Sequence, residues 1–228
     1  LAGMGRRMNM GKNKLLLEVD SHPLFYYTLE KFREFTNNII LVVSETDYDY
    51  FNSLNLGYLL VKGGSTRCES VLNGLRYVKT DRVLIHDGAR CLVSKRIIKE
   101  CLESDADAYF VGVPLKNTVR YDSSFNFKDL DRSNLIDVQT PQGGLTKLFL
   151  ESANVSKEVT DDISMLEDRS KVKLILGDDY NIKIRVTDAY NTPLVREIYS
   201  SDASYNKQNP GALNVYLTYK INIRNQNT

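Results

Sequence analysis

Two periods of apolar residues run through the chain. Short runs rich in Val, Ile and Leu fall at residues 38–43, 58–61, 82–86, 108–113, 173–176 and 182–186, and their length and composition predict strands. Between and around them lie amphipathic stretches of helix length at residues 23–35, 66–78, 94–103, 161–168 and 189–199, the first opening on Pro23, which suits a first helical turn. Strands that alternate with helices predict an α/β fold with a mostly parallel sheet covered by helices on both faces. Ligands of such sheets bind at the carboxyl ends of the strands.

Two stretches break this alternation. Residues 117–141 carry scattered apolar positions and a Tyr121-Asp122-Ser123-Ser124 turn signal, and are too long for a plain connection, so they predict a projecting β-arm used in self-association. Beyond residue 199 the chain is rich in Ser, Asn and Gln, yet Leu213, Val215, Leu217, Tyr219, Ile221 and Ile223 alternate with polar or aromatic neighbours. That period of two predicts one extra strand. The organisation expected is one domain over residues 1–199, with its arm at 117–141, and a tail over 200–228. A glycine turn at the very start, of a kind that normally follows a buried strand, makes the chain read as a fragment or processed form, with the alternating tail as a candidate for the vacated sheet edge.

Composition narrows the chemistry. The 228 residues carry 30 basic and 29 acidic side chains, a net charge of +1, so no global field draws the protein onto nucleic acid or an anionic membrane, and its cations must act locally. The apolar runs are far shorter than the roughly 20 residues that span a bilayer. Cys68, Cys91 and Cys101 form neither a C-x-x-C pair nor an even disulfide set. A cytoplasmic protein is expected. Two distant histidines, His22 and His86, give no metal signature and read as packing residues.

Candidate chemistry gathers in three loops. In Ala2-Gly3-Met4-Gly5-Arg6-Arg7, the missing Cβ atoms of Gly3 and Gly5 let a polyanion approach the backbone amides, while Arg7 and Lys14 bring positive charge. The loop Gly63-Gly64-Ser65-Thr66-Arg67 follows a strand and opens a helix whose free amides suit a phosphate or a base. Asp87-Gly88-Ala89-Arg90 follows another strand and sets a carboxylate beside a guanidinium. Thr160-Asp161-Asp162 reads as a helix cap with acidic first-turn residues.

These blocks, with Val113-Pro114-Leu115-Lys116-Asn117-Thr118, Gln139-Thr140-Pro141-Gln142 and Asn181-Ile182-Lys183, form an ordered series over residues 1–199. The series resembles the 2-C-methyl-D-erythritol 4-phosphate cytidylyltransferases of non-mevalonate isoprenoid synthesis. It departs from them at Asn13 and Cys91, where proline is usual, and at Asn117, where Asp is usual.

The resemblance implies a Rossmann-like sheet of nucleotidyltransferase type, working on CTP and methylerythritol phosphate with Mg²⁺, in a homodimer formed through the arm. It implies that Arg7 and Lys14 stabilise the transition state and that Arg132 and Lys183 hold the sugar phosphate for attack. Ala2, Gly3, Gly5, Gly64, Ser65 and Ser70 are implied at the nucleotide. Asp87, Arg90, Thr118 and Thr140 are implied at the acceptor, with Asp87 also a candidate ligand of Mg²⁺. The alternatives are a ribitol 5-phosphate cytidylyltransferase of cell-wall polymer synthesis and an inactive nucleotide-binding relative serving as a scaffold. A dinucleotide fingerprint and a P-loop are both missing.

Overall fold

The computed structural model describes residues 13–122, 127–152 and 159–186, with 185–186 and the pair 215–216 described by backbone alone. The initial glycine turn, the predicted helix at 189–199 and the rest of the tail lie outside the described residues.

Strands β1 (Glu18–Val19) and β2 (His22–Pro23) form a tight antiparallel pair that leads into helix α1 (Leu24–Arg33). Strand β3 (Ile40–Val43), helix α2 (Tyr48–Ser53), strand β4 (Leu59–Lys62) and helix α3 (Arg67–Leu75) follow, and β3 pairs with β4 in parallel. Then come β5 (Arg82–Ile85), α4 (Lys95–Glu103), β6 (Ala108–Pro114), the hairpin of β7 (Arg120–Asp122) and β8 (Phe127–Asp129), β9 (Ile136–Leu145), α5 (Thr146–Ser152) and β10 (Val172–Leu176). The main sheet has the order β10-β6-β9-β5, with β10 parallel to β6 and β9 antiparallel to both β6 and β5. β11 (Arg185–Val186) pairs antiparallel with β12 (Val215–Tyr216), which lies within the alternating stretch of the tail.

The alternation of side chains along each strand divides the core. Tyr109 and Val111 of β6, Leu84 of β5 and Ile175 of β10 pack with Val93, Ile97, Ile98 and Cys101 on the α4 face. Ala108 and Phe110 of β6, Val83 and Ile85 of β5 and Val172 of β10 turn the other way, onto Leu75, Phe149, Ile163 and Leu166. A further cluster under β3 joins Leu24, Phe25 and Leu29 of α1 to Leu41, Val43 and Phe51. Helices therefore cover both faces, as the sequence pattern predicts.

The arm is smaller than predicted. Its hairpin is β7 and β8, whereas residues 136–141 belong to β9, inside the main sheet. This strand escapes a hydrophobic reading because its buried positions are Gln139, Thr140, Gln142 and two glycines, and because it holds Pro141. Proline is tolerated there at a bulge: Gln142 faces Phe110 and Gln139 faces Val111, so Thr140 and Pro141 lie outside the ladder. Residues 161–168 also differ, forming a single 3-10 turn at Ile163–Met165 in place of a helix.

A candidate active site built on buried charges

The loops that follow the carboxyl ends of β4, β5 and β10 meet the bulge of β9 around one carboxylate. Asp87, two residues beyond β5, accepts from Arg67 Nη1 at 3.1 Å through Oδ1 and from Lys183 Nζ at 2.8 Å through Oδ2, with Arg90 Nε 3.7 Å from the same Oδ2. Burial disfavours its charge, but Arg67 and then Lys183 prevail and hold its carboxyl well below the usual carboxylate range. Arg90 also donates from Nη1 to the Asn181 carbonyl at 2.6 Å, tying the segment before Lys183 to the Asp87 turn. The Ile184 amide reaches the Ala89 carbonyl at 2.9 Å, and Lys14 Nζ donates to the Ile184 carbonyl at 3.1 Å. Lys14, Arg67, Arg90 and Lys183, spread over the whole domain in sequence, thus converge on one region.

Thr140 sits where the β9 bulge aims it. Its hydroxyl oxygen accepts the Asp87 amide at 3.1 Å and lies 3.1 Å from His86 Nδ1, while His86 Nε2 lies 3.2 Å from the Arg90 carbonyl. A carbonyl can only accept, so Nε2 carries the proton and Nδ1 takes the Thr140 hydroxyl proton. The imidazole is neutral in this relay, and burial pushes its pKa down to about 4. Part of the ring's surface remains open, but Phe32 packs against it with centroids 4.7 Å apart. His86 is therefore a packing and orienting residue, as its place at a strand end predicts.

The nucleotide loop is shaped by its own side chains. Thr66 caps α3 by accepting the Glu69 amide at 3.0 Å, while the Glu69 carboxylate returns to the Ser65 amide at 2.6 Å and its hydroxyl at 2.8 Å, a variant of the capping box. Ser70 accepts the Gly64 amide at 3.0 Å and donates to the Thr66 carbonyl at 2.8 Å. Asn13, one of the departures from the family pattern, caps the 3-10 turn at Lys14–Leu16 and donates to Asp47 at 2.8 Å, which fixes the approach of Lys14.

Other sequence candidates lie elsewhere. Arg132 stands exposed at the foot of the arm and donates to the Lys116 carbonyl, and Thr118 is exposed as well. Ala2, Gly3, Gly5 and Arg7 lie outside the described residues. Asp87 does not fit the role of a Mg²⁺ ligand here, because both its oxygens already accept from cationic side chains. Among the described residues, no three His, Cys, Asp or Glu side chains gather to hold a metal ion.

Two participants, Asp162 and Arg67, have no individual role in the sequence pattern, which sets one in a cap segment and the other in a loop. Asp162, 0% exposed, accepts from Arg67 Nε at 3.0 Å and Nη2 at 2.6 Å. The capping expected of this segment is performed by Asp161, which accepts the Ser164 amide at 3.1 Å, and Asp162 makes no cap bond of its own. One signal for Arg67 was present: a cation in a helix's first turn opposes the macrodipole and needs a carboxylate partner from elsewhere.

Comparison with known proteins gives the family and the fold. The family model for 2-C-methyl-D-erythritol 4-phosphate cytidylyltransferase matches residues 1–192. The chain is 39% identical over 202 residues to the enzyme of that name from Clostridium novyi, covering 80% of this chain and 87% of that one. It is 36% identical over 201 residues to the Bacillus cereus enzyme of the same name, covering 80% and 88%. The crystal structure of 4-diphosphocytidyl-2C-methyl-D-erythritol synthase from Anaerococcus prevotii superposes with a TM-score of 0.68 at 25% identity, covering 82% and 93%. With its motifs in order, its fold matched and its cations gathered at the strand ends, the chain belongs to the 2-C-methyl-D-erythritol 4-phosphate cytidylyltransferase family, a class of nucleotidyltransferases.

Proposed function

We propose that this protein transfers the cytidylyl group of CTP to the phosphate of 2-C-methyl-D-erythritol 4-phosphate. A phosphate oxygen of the acceptor attacks the α-phosphorus in line, the bond from that phosphorus to the bridging oxygen breaks, and pyrophosphate leaves with the electron pair. The nucleophile is already an anion and needs no general base, so the enzyme's work is to hold two polyanions together and neutralise charge on the transferring group. The observation that carries this reading is the convergence of Lys14, Arg67, Arg90 and Lys183 at the carboxyl ends of the strands, beside the Gly64 loop.

In this reading Lys14, with Arg7, faces the phosphates of CTP, and the Gly64, Ser65 and Ser70 loop, with Ala2, Gly3 and Gly5, receives the nucleotide. Lys183 and Arg90 take the acceptor phosphate, with Thr140 and Asp87 at the polyol. Mg²⁺ is proposed as a partner of the CTP phosphates and not of Asp87. Arg132 and Thr118, out on the arm, act on the site of a second copy in a homodimer, which the exposed Tyr121 and Phe127 of the hairpin support. We place the reaction in the cytoplasm, consistent with three buried cysteines.

The test is to incubate the protein with CTP, Mg²⁺ and either methylerythritol phosphate or ribitol 5-phosphate and to follow pyrophosphate. Release with methylerythritol phosphate alone is expected. Release with ribitol phosphate alone moves the assignment to wall-polymer synthesis, and none with either, from folded protein, leaves a nucleotide-binding relative without this activity.

A further inference from the structure

Arg67 stands where three loops meet. Its backbone is fixed by the first turn of α3 and the Thr66 cap, and its guanidinium is fixed by Asp162. Asp162 is itself anchored, because its amide and that of Ile163 both donate to Gln142 Oε1, at 2.8 and 2.9 Å, and Gln142 lies in β9. The Gln142 amide nitrogen in turn donates to the Gln139 carbonyl and to Asp161, each at 3.2 Å. With both ends held, the planar fork has one direction left for Nη1, and it points at Asp87 Oδ1.

We propose that Arg67 is a positioning residue for the transfer reaction: by spanning Asp162 and Asp87 it fixes the Asp87 carboxylate so that Oδ2 presents Lys183 to the acceptor phosphate. This inference rests on the function proposed above. The Asp87 amide is held by Thr140 and its Oδ1 by Arg67, so the remaining oxygen has a defined direction, and Lys183 Nζ lies on it at 2.8 Å. Without the Arg67 N–H, the carboxylate turns toward Arg90, whose Nε is already 3.7 Å from Oδ2, and Lys183 loses its post. A lysine at position 67 keeps the charge that Asp162 requires, but an ammonium cannot supply two parallel N–H groups to one carboxylate and a third to another.

Arg67→Lys and the double variant Arg67→Gln/Asp162→Asn, which removes both buried charges together, test this. In each, kcat/KM for the acceptor is expected to fall by about 10- to 100-fold, as for a misplaced reactive group, while KM for CTP stays within about twofold. An equal loss toward both substrates marks a merely structural role and overturns the proposal, as does unchanged acceptor kinetics. Should Arg67→Lys fail to fold, the charge-balanced double variant decides. A second readout needs no turnover: the side-chain NMR signal of Lys183, identified by its disappearance in Lys183→Ala, is expected at a restrained position in the parent and at a free-lysine position in both variants. If it does not move, the proposal is wrong whatever the activity. A parent protein that releases no pyrophosphate sinks the functional reading and leaves this signal to judge Arg67.

Discussion

At the scale of single residues, charge compensation dominates. Arg67 illustrates the balance: burial opposes its charge, yet Asp162 and then Asp87 outweigh that cost and raise its pKa. For Asp162 burial is the larger influence and raises its carboxyl, against the pull of Arg67. The two-pronged contact, with a guanidinium that does not deprotonate, makes this an ion pair. Lys183, by contrast, is about one-third exposed and holds no core position. Lys183→Ala is therefore expected to lose on the order of 10²- to 10³-fold in kcat/KM, the scale of one lost electrostatic stabiliser, with little change in melting temperature. A large drop in melting temperature would reveal a structural lysine.

His86 gives a pH prediction whose sign follows from its depressed pKa. The folded protein keeps the ring neutral down to about pH 4, whereas the unfolded chain takes up its proton near 6.5. Between those values the unfolded state binds more protons, so this contribution to stability is fully present above 6.5 and is lost as the pH falls toward 4. The loss is at most about 3 kcal/mol. Chemical denaturation of wild type and His86→Gln across pH 4 to 7 is expected to give a shallower slope in the variant. Parallel slopes would show that the imidazole does not carry the effect.

At the scale of elements, β9 decides the site. It lies between β6 and β5, and two glycines let both neighbours approach. A Cβ at Gly143 would stand 2.3 Å from the Val83 carbonyl oxygen, and one at Gly144 would stand 2.1 Å from that of Asp107. Gly144 also has φ +147°, in a region that other residues rarely adopt. Gly144→Ala is expected to destabilise the protein by at least about 3 kcal/mol, measured by urea unfolding, because strain and overpacking add. A change below about 1 kcal/mol would mean that β9 can shift away from its neighbours.

The strand was not legible as a strand because the usual signal is alternation of apolar and polar residues. Here the buried positions are polar and are satisfied by each other, as when Asn181 Nδ2 donates to Gln139 Oε1 at 3.0 Å and to the Thr140 carbonyl at 2.8 Å. By contrast β3, β5, β6 and β10 were legible, since their Val, Ile, Leu and aromatic side chains pack directly against helices. The same difference applies to the cap segment: the residue types of Thr160-Asp161-Asp162 predict a cap, and a local pattern cannot reveal that its second Asp turns inward to an arginine 95 positions away.

At the scale of the whole molecule, the β7–β8 hairpin leaves large apolar side chains in solvent. Tyr121 is 59% and Phe127 61% exposed, and Leu130 beside them is 44% exposed. Such a surface is expected to be covered by a second copy in the proposed homodimer. Tyr121→Asp with Phe127→Asp is expected to shift the protein from dimer to monomer in size-exclusion chromatography with light scattering, and to lower activity as Arg132 and Thr118 lose the partner site. A parent that runs as a monomer at micromolar concentration would remove this role from the arm. No helix of the described residues is long and apolar enough to cross a membrane.

The sequence by itself determined the alternation of strands and helices, the loops that bear chemistry and the family, because hydrophobic period, glycine placement and motif order are local properties of a chain. Only the tertiary structure decided that Lys14, Arg67, Arg90 and Lys183 share one region, that Asp87 is held by Arg67 and Lys183, and that Asp162 is buried against Arg67. The reason is physical: a buried charge is tolerated only where an opposite charge meets it at hydrogen-bond distance, and that meeting is fixed by packing between segments far apart in sequence.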